Sequence, residues 1–381
     1  MSFIMNIRSV AKYESKILVR SCFFRIFTLL AVVFLGFFNF AMMLMEDNFG
    51  LWFAKSVSSN IPYLNLLLLN TGQAVVAVFL SSEFLKRDKK LDTSEVFYVR
   101  PLSNAEYVVG KIWGNLRVFL FLNLLVLAIV LAFNFMASGV TVDLPAYLVY
   151  FFLISIPTLI FIIGLSIFLM LLLKNQALTF ILLLGYIGLT LFYIQDKFYY
   201  LFDYMVYNLP LFKSTIVGFS NLELILNHRA IYFFAGLGFI FFTIFLFKRL
   251  PNARRSHYPW LFLSFCMFLL MVTAGFRHVR SILWEGEMRA LYTSINNKYV
   301  YEPKMAIDYY DISVEQKSET IRSVVGMEGT ALAASEVFIF CLNPGLRVEE
   351  VKDGEKSLNF KREEQILAVD FGRKIEKGDT I

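Results

Sequence analysis

The side chains able to do chemistry are few and scattered. The chain holds three histidines, His228, His257 and His278, and none lies in an HExxH pattern, so no zinc-peptidase helix can be built from them. There is no GxSxG nucleophile elbow. There is no GxxxxGK[ST] phosphate loop; Gly110-Lys111 lacks the preceding glycine and the following hydroxyl. Cys22, Cys266 and Cys341 stand apart, in no metal-ligand spacing. We therefore expect no catalytic residue, no metal site and no cofactor in this chain. If ATP drives its work, ATP and Mg belong to another subunit.

A second group of polar residues lies inside apolar stretches, where lipid penalises them. Asn65, Asn70, Thr71 and Gln73 cluster in one such stretch, Asn123 lies in another, and Ser155 and Ser166 in a third. Asn70, Thr71 and Gln73 are the candidates for a substrate path. The more ordinary reading, and the favoured one, is hydrogen bonding between helices, worth about 0.6 kcal/mol each. No acid or base falls centrally in any stretch, which argues against a proton- or sodium-coupled carrier.

The elements that must position these residues are membrane spans. Of 381 residues 58% are hydrophobic and 17% charged, against about 45–50% and 25% in soluble domains. Seven charge-free windows approach the ~20 residues that a bilayer requires: Ile26–Met45, Ile61–Ser82, Val118–Phe135, Tyr147–Leu173, Ala177–Ile194, Ile231–Phe247 and Pro259–Phe276. Pro157 is expected to kink the fourth. With the N-terminus in the cytoplasm, the inner segments hold 17 Lys/Arg and the outer loops only Lys55, Lys197, Lys213 and Arg229. The basic balance, net +6, thus reflects topology and implies no nucleic acid. Residues 195–230 are read as short helices in or near the outer interface, with Tyr199, Tyr200, Tyr204 and Tyr207 at headgroup level. Residues 2–21 read as an amphipathic helix along the inner surface.

The longest inner connection, Glu83–Leu116, opens on Lys86-Arg87-Asp88-Lys89-Lys90. Thr93-Ser94-Glu95 is a helix-start signal, Pro101 a break, and Ser103-Asn104-Ala105-Glu106 a capping-box pattern. The loop suits docking of a cytoplasmic partner. After residue 276 the period changes. Met305–Glu315, Val337–Leu342, Leu346–Val351, Leu358–Lys361 and Gln365–Phe371 read as short antiparallel strands, with Asp353-Gly354 as a hairpin turn. Residues 277–381 carry 15 Lys/Arg against 18 Asp/Glu, and the pattern is still running at Ile381. The expectation is a sheet that continues past Ile381 or pairs with another chain.

The arrangement resembles an ABC-2 type permease. Segments Asn6–Arg20, Glu83–Arg117 and Tyr199–Leu226 match that family's first interfacial helix, its coupling loop and its outer re-entrant helices. Arg87 to Glu95, then Arg100-Pro101-Leu102-Ser103 and Gly110-Lys111, look like the family's loop. The resemblance implies an all-α polytopic, ABC-2 exporter-like membrane protein; in this chain the strand pattern adds a small extracytoplasmic all-β segment after it. The chain then divides into an interfacial helix over 1–25 and a six-helix domain over 26–250, which the resemblance covers, and two departures from the family, a seventh span over 251–276 and a β-rich domain over 277–381. The resemblance implies an ATPase-coupling loop carried by Arg87, Lys89, Thr93, Glu95, Arg100, Pro101, Glu106 and Lys111. Its partners would be an ABC ATPase subunit, a second permease copy and the bilayer of a bacterial inner membrane. Phe338 to Val348 look like the first β domain of M1-family aminopeptidases fused to bacterial ABC-2 permeases. The alternatives are therefore a membrane-anchored fragment of a zinc aminopeptidase fusion and a non-enzymatic receptor or scaffold.

Overall fold

The computed structural model describes residues 3–44, 57–82, 102–136, 141–247 except 210, 212, 215–217 and 220, and 258–381 except 318–319. It comprises two units, Met1–Ser281 and Ile282–Ile381.

The first unit is helical: α1 (Phe3–Arg20), α2 (Cys22–Leu44), α3 (Asn60–Ser82), α4 (Asn104–Met136), α5 (Leu144–Tyr150), α6 (Ile156–Leu173), α7 (Gln176–Leu189), α8 (Leu222–Leu246) and the start of α9 (Tyr258–Lys298). Among the described residues seven helical stretches are long and apolar enough to cross a membrane, with α5 and α6 counting as one. They coincide with the seven windows read from the sequence. Local chemistry sets their ends. Ser103 Oγ accepts from the Glu106 N–H at 3.2 Å, and Glu106 Oε2 accepts from the Ser103 N–H at 2.6 Å. This reciprocal box opens α4 as expected. Asp143 caps α5 and Asn175 caps α7. Lys174 ends α6 in a left-handed conformation, φ 54°.

Just before Pro157, the site of the expected kink, a π-helical stretch, Phe151–Ser155, lies between α5 and α6. Proline has no N–H for the carbonyl of Leu153 four residues back. Interior glycines let spans touch. A Cβ on Gly236 of α8 would lie 2.7 Å from the Ile160 carbonyl oxygen, and one on Gly164 of α6 2.7 Å from that of Gly236.

Two expectations change here. Residues 195–221 hold no short α-helices among those described; a 3-10 turn, Phe198–Tyr200, starts an irregular segment. Phe198, Tyr199 and Tyr200 all have positive φ. The Asp203 carboxylate accepts from the Tyr207 and Asn208 N–H groups, offering this backbone an alternative to helix. Tyr204, expected at an interface, is 1% exposed and ringed by Phe161, Tyr186 and Tyr232. In addition, α9 does not stop near Phe276; it runs unbroken to Lys298, through the helix-forming Glu285, Glu287, Met288, Ala290 and Leu291.

In the second unit, β3 (Ser335–Cys341), β7 (Ile366–Ile375) and β6 (Asn359–Glu363) form an antiparallel sheet in that order. Phe338, Leu358, Leu367, Val369, Phe371 and Ile375 fill its core. β4 (Lys352–Asp353) and β5 (Lys356–Ser357) flank the expected turn, where Gly354 has φ +59°. Leu346–Val351 forms no strand. Missed from the sequence was β2 (Thr320–Ala331), which pairs with β1 (Met305–Lys317) in a long ribbon. Directly paired residues share a face. One face carries Tyr310, Ile312, Val314, Ile321, Val325 and Met327, all exposed; the other is largely polar. The last residues pair within the chain: Gly329 and Ile381 exchange two backbone hydrogen bonds.

Candidate functional site

Chemistry-bearing side chains gather at three levels of the helical unit. At the first, α1 runs parallel to the start of α4, each residue facing one about a hundred positions later. Small residues on α4 permit the approach. A Cβ on Gly110 would lie 2.7 Å from Val10 Cβ, and one on Gly114 2.7 Å from Glu14 Cβ and 2.8 Å from the Ala11 carbonyl oxygen. Inside this seam Lys111 Nζ is 3.1 Å from Glu14 Oε1, with side chains 1% and 5% exposed. The ammonium also lies 5.0 Å from the centre of the Tyr107 ring. Asn6 donates to Glu106 at 2.8 Å. Arg117 donates to Ser15 Oγ at 2.5 Å and to the Ala11 carbonyl at 2.8 Å. The first residue of α4 reaches a third element: Asn104 Nδ2 donates to the Phe247 carbonyl at 2.6 Å, and the Tyr107 and Phe247 rings stack.

Of the residues assigned to the coupling loop, Glu106 and Lys111 are thus brought together with α1. Both are buried and held by partners within the chain. Arg87, Lys89, Thr93, Glu95, Arg100 and Pro101 lie outside the described residues.

At the second level the apolar helices share a polar ladder. Asn39 and Asn65 exchange side-chain hydrogen bonds of 2.7 and 3.0 Å. Asn70 Nδ2 donates to Asn123 Oδ1 and Ser155 Oγ, both at 3.1 Å, and Asn123 Nδ2 donates to Gln73 Oε1 at 2.9 Å. Thr71 Oγ1 bonds to the Tyr207 hydroxyl and to the Leu67 carbonyl. Asn70, Thr71 and Gln73 therefore join α3 to α4, to the π stretch and to the segment after α7. Asn70 Oδ1 and Gln73 Nε2 are buried with no hydrogen-bond partner among the described residues.

At the third level sits Arg229, 2% exposed, which the sequence reading placed in an outer loop; α8 begins at Leu222 and carries it two turns in. Its guanidinium donates to the Leu153 carbonyl at 2.6 Å, the Tyr204 carbonyl at 2.9 Å and Thr158 Oγ1 at 2.8 Å, with the Ile154 carbonyl at 3.4 Å. The acceptor at Leu153 is the one that Pro157 leaves open. Burial pushes the nearby Asp203 carboxyl up, while the N–H groups of Asn208 and Tyr207, and then Arg229, oppose the rise. His228 and His278, with ring centres 5.0 Å apart, use Nε2 on the carbonyls of Tyr200 and Tyr199. Among the described residues no group of three or more His, Cys, Asp or Glu could hold a metal ion.

Sequence reasoning missed Glu14, Arg117 and Arg229 as site residues. Glu14 had a signal: it is the one acid in α1 and falls on the side of Ala11 and Leu18, which pack inward. No family model matches the chain, and no curated protein matches it.

Proposed function

We propose that the chain is the permease subunit of an ABC-type transporter, moving a substrate across a bacterial inner membrane with ATP hydrolysed by a separate subunit. The observation that carries this reading is the mechanical continuity of α4. It leaves the cationic segment 83–101 through a capping box and runs unbroken for 33 residues, long enough to cross a bilayer. Along its first turns it is clamped to α1 by a buried ion pair. A push on the loop would therefore reach the spans along a rigid rod rather than being lost in flexible chain. The N-terminus and segment 83–101 face the cytoplasm in this reading and the β-rich tail lies outside, with ATP and Mg on the ATPase and a second copy completing the pathway. The unpartnered Asn70 Oδ1 and Gln73 Nε2 favour a polar route beside the ladder.

The test is to purify the tagged chain from its native membrane and identify what accompanies it. Recovery of a nucleotide-binding ATPase is the expected result. Neutralising Arg87, Glu95 and Arg100 together should then leave assembly intact but uncouple hydrolysis from transport. Unchanged coupled transport in that variant counts against the loop. A second reading, a receptor or scaffold, draws on the exposed apolar face of the β1–β2 ribbon. Recovery of an external protein and no ATPase would favour it.

A further inference from the structure

Beside the α1–α4 seam lies an open groove of about 480 Å³ lined by Arg8, Ser9, Lys12 and Arg117. We infer that this groove is a binding site for the phosphate of an anionic phospholipid of the inner leaflet. It rests on the orientation proposed above, with residues 1–20 at the inner face, and not on ATPase coupling.

Three cations converge there. Arg8 and Lys12 are exposed, one helical turn apart on α1, and among the described residues neither has an ion-pair partner. The nearest acid of α1, Glu14, is turned into the seam toward Lys111, and Glu106 is held by Asn6 and Ser103. Arg117 commits Nε and one terminal nitrogen to Ser15 and Ala11, which fixes its guanidinium beside the groove and leaves the other terminal nitrogen for a ligand. A phosphodiester is the ligand that such a planar donor and two mobile cations suit.

Depth along α4 selects a lipid over a soluble phosphate. Trp113, Arg117, Phe121 and Leu125 follow one another at four-residue spacing along a single side of the helix. Trp113 is 48%, Phe121 67% and Leu125 39% exposed. This stripe changes from an interface-seeking indole to bare hydrocarbon, with Arg117 at the change. The exposed Tyr13, next to Lys12, adds a second ring on α1. The groove thus opens where headgroup phosphates lie.

The full-length protein, purified in neutral detergent, is mixed with phosphatidylglycerol or phosphatidylcholine, and retained lipid is counted by native mass spectrometry. The R8Q/K12Q variant removes two side chains that have no ion-pair partner among the described residues; K174Q, at another exposed inner lysine, is the control. Each cation near an anionic surface contributes about fivefold, so R8Q/K12Q should bind phosphatidylglycerol roughly thirtyfold more weakly. Phosphatidylcholine binding and K174Q should be unchanged. Equal phosphatidylglycerol retention in wild type and R8Q/K12Q overturns the inference. So does displacement of the lipid by millimolar inorganic phosphate, which marks a soluble-anion site. Loss of a copurified ATPase from R8Q/K12Q with lipid retained also overturns it, since the groove is then a protein contact. A wild type that recovers no ATPase but loses lipid on mutation refutes the transport reading and supports this one.

Discussion

The buried Glu14–Lys111 pair offers the sharpest test of the α1–α4 seam. Lys111→Met leaves a carboxylate that is 5% exposed without its ammonium, and Glu14→Leu leaves the converse. Removing one partner of a buried pair costs about 3–5 kcal/mol, because the surviving charge stays desolvated. The lower figure applies here, since Arg117 and the Tyr107 ring lie nearby to share the remaining field. Replacing both with apolar side chains removes both desolvation penalties, so the double variant should cost no more than either single change. Two singles of about 3 kcal/mol and a double of about 3 give a coupling near 3 kcal/mol, or roughly 160-fold in an equilibrium constant. Reversible unfolding of the full chain in mixed micelles, followed by tryptophan fluorescence, measures all four proteins. If both singles fall within about 0.5 kcal/mol of wild type and add in the double, the pair is solvated and α1 does not dock on α4 as described.

Other contacts in the fold carry outcomes of their own. Gly236→Leu places a side chain 2.7 Å from the Ile160 backbone and should destabilise the α6–α8 crossing by at least about 1–3 kcal/mol, read as a lower unfolding midpoint; Gly185→Leu, in open space, should not. Arg229→Met strips donors from buried carbonyls, and Arg229→Lys should not restore them, because one ammonium cannot span Leu153, Tyr204 and Thr158; unfolding midpoints for both variants test this. In the tail, the Tyr299 hydroxyl and then Lys298 hold the Glu363 carboxyl below the usual glutamate value. A lowered folded pKa means that its stabilisation is complete above the unfolded value of about 4.3 and is lost as pH falls through the folded one. Carbon-13 NMR of labelled Glu363 should show the depressed inflection, and Tyr299→Phe should move it upward.

Helices were the legible part of this molecule. The seven apolar windows need only composition and length, and the Ser103–Glu106 box was visible because both partners lie within one turn. The tertiary partners of these elements were hidden. Glu14 and Lys111 are 97 positions apart, and nothing local in the run from Lys12 to Ile17 or from Glu106 to Arg117 announces that the two face each other. Arg229 counted as a loop cation because its helix starts with Leu222, Glu223 and Leu224, where a hydropathy window sees charge rather than span. The ladder of Asn70, Gln73 and Asn123 was anticipated in kind, though its pairings across α3, α4 and Ser155 were not. Strand β2 escaped notice because Gly326 and Gly329 break its alternation, yet its register with β1 is held by pairing along almost its whole length.

The guanidinium of Arg229 draws on α8, on the π stretch and on the segment after α7 at once. To turn or slide any of them by one helical step would strand carbonyls where no water can replace the lost donor. These elements must therefore travel as a single chassis, together with α3 and α4, which the Asn and Gln amides fasten to it. Less of the surface of α2, α7 and α9 is covered, with apolar windows only 17, 22 and 11% buried; α2 is tied to α3 by the Asn39–Asn65 pair, and α9 by single bonds from Ser264 and His278. Any relative movement within the helical unit is therefore easiest for these outer helices, against a centre tied together by amides and one guanidinium.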